Sequence, residues 1–110
     1  MLFRSSQAPD NVRLLNDTAW VLATCADAAL RNGTEAVTLA GHAVDLTSGR
    51  DPVLLATLAA AYAEAGRFDK AVELEQRATG LATRQGNASL AATLRARLTQ
   101  LQANMPIRQP

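Results

Sequence analysis

Residues 54–78 read LLATLAAAYAEAGRFDKAVELEQRA, and their reading decides the fold. Two apolar runs flank Ala65-Gly66-Arg67-Phe68. Within each run the apolar residues recur at steps of three and four, the period of a helix. The break between them leaves room only for an immediate turn back, and glycine is the residue that lets a chain take it. The stretch is therefore a helical hairpin. Its alanines stand where the two helices would touch, and small side chains there allow a close approach.

Working outward, the same period returns on both sides. Upstream, Asp10 is a candidate N-cap for a helix from about Asn11 to Ala26, carrying Leu14, Leu15, Ala19, Trp20 and Ala23. Asp27 to Leu30 reads either as its last turn or as a separate short one. Arg31-Asn32-Gly33 breaks the pattern, and Thr34 is the expected cap of a second helix with Val37, Leu39, Ala40 and Ala43 on its stripe. Ser48-Gly49-Arg50 ends it. Asp51-Pro52 then starts the third helix, with Pro at the first helical position, where its missing N–H is not needed. Gly66 is its expected left-handed cap. Downstream, Asp69 opens the fourth helix, Arg84-Gln85-Gly86 closes it, and a fifth runs from about Asn87 to Ala103.

A shift of 35 residues lays the chain on itself. Trp20 falls on Leu55 and Leu55 on Leu90. Ala36 falls on Ala71, Leu39 on Leu74 and Ala43 on Ala78, and the breaks coincide. The chain is thus two hairpins, about 17–50 and 52–85, plus a fifth helix, about 87–103, that begins a third unit. Residues 1–10 read as a flexible lead-in and 104–110 as an irregular tail. One helix pair cannot cover both its apolar faces, so such units stack, and the last needs a wetter outer face. Arg95, Arg97, Gln100 and Gln102 supply that on the fifth helix. No equivalent cap precedes the first helix. Its face is left partly apolar or covered by residues 1–9, by a second copy or by further repeats upstream.

Leu55, Leu58, Ala59, Tyr62, Gly66, Phe68, Ala71 and Ala78 fall in slots that resemble a tetratricopeptide repeat. Glu75 and Thr83 stand where that family has an aromatic and often a proline. In the first unit Trp20, Ala36, Ala40 and Ala43 fit, whereas Asp27 and Gly33 replace the tyrosine and the turn aromatic. The resemblance covers about residues 12–103. It implies an all-α, right-handed superhelical stack of antiparallel helix pairs whose first helices line a concave groove. By that register the groove residues are Thr18, Val21 and Cys25 from the first helix, Val53, Ala56, Ala60 and Ala63 from the third, and Arg95 from the fifth. The lysines and asparagines of the family's peptide-carboxylate clamp are absent from this face.

Composition agrees with closely packed helices. There are 23 alanines, while aromatics are 4% of the 110 residues. The net charge of +1 hides an asymmetry: residues 76–110 hold five arginines and no acid. Those arginines are sparse and no aromatic follows Phe68, which argues against a nucleic-acid surface. Cys25 is the one cysteine and His42 the one histidine, and nothing supplies a third orienting group or an oxyanion hole. No metal-spaced cluster, phosphate loop or other cofactor motif is present. No apolar run approaches the ~20 residues that span a bilayer, and no secretory leader is evident. Trp20 and Tyr62 read as packing residues.

The sequence therefore points to a cytoplasmic, non-enzymatic scaffold that binds a helix or an extended peptide of a protein partner in its groove. The alternative is a self-associating module, a homodimer through the uncapped first helix or the groove.

Overall fold

The third helix, α3 (Pro52–Glu64), is apolar on every side, and all its residues from Leu54 to Ala61 are buried. A helix of that kind is stable only when surrounded. In the computed structural model, which describes residues 11–109, helices α1 (Val12–Thr24), α2 (Gly33–Leu46) and α4 (Phe68–Arg84) pack against it, and α5 (Ala88–Gln102) packs on α4. A single 3-10 turn, Ala28–Leu30, joins α1 to α2, and no strand occurs among the described residues. Each helix packs on its neighbour in sequence, and α1 also packs on α3.

The helix breaks lie where the sequence places them, but several caps differ. Asp51 caps α3 through its own carboxylate, which accepts the Val53 N–H at 2.9 Å. Gly66 and Gly86 end α3 and α4 at φ +87° and +76°, the left-handed region that glycine enters at no steric cost. Arg67 N–H then reaches back to Tyr62 C=O at 2.8 Å, and Asn87 N–H to Ala82 C=O at 2.9 Å, closing each end as a Schellman turn. Asp10 lies outside the described residues, and Asn11 caps α1 by accepting the Leu14 N–H. The cap of α2 is Asn32, not Thr34: its Oδ1 accepts the Glu35 N–H at 3.0 Å. Asp69 sits inside the first turn of α4 rather than at its cap, and α4 has no side-chain cap. Glu73 pairs with Lys70 at 3.8 Å, one turn along the exposed side of α4.

Gly33 breaks the pattern for a reason other than positive φ. A Cβ there would lie 2.6 Å from Ala65 N and 2.8 Å from Glu64 C, so the start of α2 abuts the backbone at the end of α3. Glycine is required by the closeness of that approach. The first helix also stops earlier than its apolar pattern, at Thr24. Asp27 then caps the 3-10 turn by accepting the Ala29 N–H at 3.0 Å.

The 35-residue register holds in the core. Ala36 and Ala71 are both fully buried, as are Ala43 and Ala78. Glu75 is buried too, at 1% exposure, although it carries a carboxyl.

The C-terminal tail is irregular but docked. After Asn104 turns the chain at φ +60°, Ile107 is buried in the main core and Gln109 N–H donates to Thr24 C=O at 2.8 Å. Gln100 Nε2 steadies the bend by donating to Pro106 C=O at 2.8 Å.

Candidate functional site

α5 packs chiefly on α4, and a cleft of about 350 Å³ lies between α1, α3 and α5. Asn16, Asp17 and Trp20 come from α1, Val53, Ala56 and Thr57 from α3, and Leu90, Thr93, Leu94 and Arg97 from α5. The three helices are the first members of the successive sequence units. The cleft is mainly apolar, with an acid and a base on opposite helices.

Trp20 and Arg97 bridge the cleft. The Arg97 guanidinium lies over the indole, 4.9 Å from the ring centroid, in a cation–π contact between α1 and α5. Trp20 is half-buried: one side packs on the core and the other borders the cleft. Arg97 also acts on Glu75. Burial pushes the Glu75 carboxyl up to about 7, and the nearby Arg97 charge partly offsets that. Glu75 Oε2 has no hydrogen-bond partner, nor does the buried Oδ1 of Asn16.

The eight groove residues named from the sequence are not gathered in one site. Val53 and Ala56 line the cleft. Ala60 and Ala63 are buried in the core, while Thr18, Val21 and Arg95 are exposed outside the cleft and Cys25 is half-buried at the end of α1. Sequence reasoning missed Asn16, Asp17, Trp20 and Arg97 as cleft residues. The register of Trp20 with Leu55 assigns it to the core, which is true of one of its faces.

The far end of α1 and α3 is closed by the tail. Arg108 Nη1 meets Glu64 Oε1 at 2.8 Å, and Arg31 Nε meets Glu64 Oε2 at 3.2 Å. Arg31 Nη1 also donates to Cys25 C=O at 2.7 Å, covering a carbonyl at the end of α1. Glu64 is therefore bound between two guanidinium groups.

Cys25 and His42 do not meet. His42 shares a shallow depression on the outer side of α1 and α2 with Leu15, Val37 and Asp45. Leu15 lies ten residues back along α1 from Cys25, roughly 15 Å at a helix's rise. Among the described residues no His, Cys, Asp or Glu cluster could hold a metal ion, and no helix is long and apolar enough to cross a membrane. No family model, curated protein or solved structure matches the chain.

Proposed function

We propose that this chain is a non-catalytic interaction module that takes a peptide segment of a partner protein in the α1–α3–α5 cleft. The observation that carries the reading is the cleft's make-up: a half-buried indole and aliphatic walls, with Asp17 and Arg97 on opposite sides. Apolar anchoring with a few placed polar groups is how helical grooves hold peptides. The proposal includes the tetratricopeptide-like, right-handed stacking of the units, supported by the 35-residue register of buried alanines. A lone cysteine suits a reducing compartment, and the cytoplasm is the proposed location.

The test is selection of peptides from a random display library on the wild type, followed by titration of the selected peptides. Val53 is 43% exposed in the first turn of α3, where a carboxylate is favoured by the helix dipole, so Val53→Glu keeps the fold. Val53→Glu should weaken the peptides at least tenfold, and Val21→Glu, on the same side of no cleft wall, should not. Equal binding by wild type and Val53→Glu places the site elsewhere.

A second reading rests on a separate observation. Leu14 and Val21 on α1 are 52% and 43% exposed, and a shallow depression on the same hairpin exposes apolar surface between Leu15, Val37 and Leu39. That surface suits self-association through the first hairpin.

A further inference from the structure

The docked tail shows what the far end of α1 and α3 can hold. Residues 105–109 carry no helix and cross from the end of α5 to the end of α1. Three contacts seat them, each of a different kind. Ile107 is buried at 5% exposure in the main core cluster. The next residue, Arg108, pairs with Glu64 at 2.8 Å. The backbone N–H of Gln109 then donates to Thr24 C=O, one of the carbonyls that the end of α1 leaves without a helical partner. An apolar anchor, a charge pair and a main-chain hydrogen bond are the elements by which a surface recognises an extended peptide.

The receiving side is also held by contacts that do not involve the tail. Arg31 holds the other oxygen of Glu64 at 3.2 Å and is itself tied to Cys25 C=O and Ala26 C=O. Gly33 fixes the start of α2 against Ala65, next to Glu64. The carboxylate is thus oriented by α1, α2 and their linker, with Oε1 presented to the incoming arginine. Removing the tail would leave a positioned, half-buried acid, an orphan carbonyl at Thr24 and an apolar hollow.

We infer that this end of the fold is a second recognition site, separate from the cleft, for an extended segment of a partner protein bearing an aliphatic residue followed by arginine. Residues 106–109 hold it in cis as an exchangeable occupant. The occupant's chemistry follows from the seat: aliphatic for the hollow left by Ile107, and cationic for Glu64. A tethered tail competes at an effective concentration of the order of millimolar, so the site opens to a partner when the tail is released or outcompeted.

The test uses the full chain and two labelled peptides, one with the sequence of residues 103–110 and one with glutamate in place of its arginine. The double variant Ile107→Asp/Arg108→Glu loses both cis anchors and keeps the receiving side. It should bind the arginine peptide at least tenfold more tightly than wild type does, and should prefer it to the glutamate peptide. Adding Glu64→Arg to the double variant should reverse the preference, an outcome that a merely structural role for Glu64 does not produce. If that triple variant loses its helical circular dichroism, Glu64→Gln in the same background serves instead and should abolish the preference. Equal binding of both peptides by the double variant, or binding of neither, overturns the inference. Sedimentation of Glu64→Arg mixed with Arg108→Glu covers the other occupant: a heterodimer from two monomeric variants would assign the site to a second copy of this chain and overturn the partner assignment.

Discussion

Glu75 is the residue whose placement runs most directly against its chemistry. It lies on the buried stripe of α4 with Ala71, Leu74 and Ala78, and one of its oxygens has no partner. Burial raises its carboxyl to about 7, from an ordinary 4.5. A raised pKa means that the folded state binds the proton more tightly than the unfolded chain. The stabilisation is therefore complete below about pH 4.5 and is lost as pH rises through about 7. The shift corresponds to about 3 kcal/mol across that window. Urea unfolding of wild type and Glu75→Gln from pH 5 to 8 should show the wild type losing stability relative to the variant as pH rises. A constant difference would mean that Glu75 is charged or hydrated in the folded state. The same titration should move the emission of Trp20, the only tryptophan, because Arg97 lies over its ring and feels the Glu75 charge. Arg97→Gln should remove that change.

Among the elements, the contact between α2 and α3 leaves least room. Gly33→Ala forces a methyl to within 3 Å of Ala65 and Glu64 backbone, which cannot swing aside as a side chain would. It should cost about 1–3 kcal/mol, the range of overpacked cores, measured as a lowered midpoint in thermal or urea unfolding. An unchanged midpoint would show that the two helix ends separate easily. The helices themselves were legible in the sequence. Apolar period, Pro52 and the glycines of the turns placed five helices, and the 35-residue register identified the buried alanines. Gly33 is legible as a break but not as a contact, since sequence distinguishes poorly between a glycine needed for positive φ and one needed for a close approach. Asn32 and Thr34 are both good caps by residue type, so the sequence does not choose between them. The tail left no signal, because one aliphatic residue between Pro106 and Arg108 has no period. Its docking also bears on the groove: register by family resemblance chose Ala60 and Ala63, which the structure buries in the core. Trp20 is the instructive case. Its register marks it as core, while its pairing with Arg97 joins residues 77 apart in the chain, and no local pattern carries so distant a contact.

At the scale of the whole molecule, two surfaces differ in cover. The tail lies over the ends of α1 and α3, whereas the first hairpin exposes Leu14 and Val21. If that surface drives self-association, sedimentation across a concentration series should show a dimer that Leu14→Lys/Val21→Lys abolishes without loss of helicity. A wild type that stays monomeric at high micromolar concentration excludes this route and leaves α1 as an ordinary solvated face. The proposed working surface is the cleft between α1, α3 and α5. Its most direct test is nuclear magnetic resonance mapping of a library-selected peptide on the wild type, where the single indole N–H of Trp20 gives one assignable signal inside the cleft. Saturable shifts are expected at Trp20, Thr57, Leu90 and Thr93, all lost in Val53→Glu. Shifts confined to Leu15, Val37 and His42, with the Trp20 signal unmoved, would contradict it.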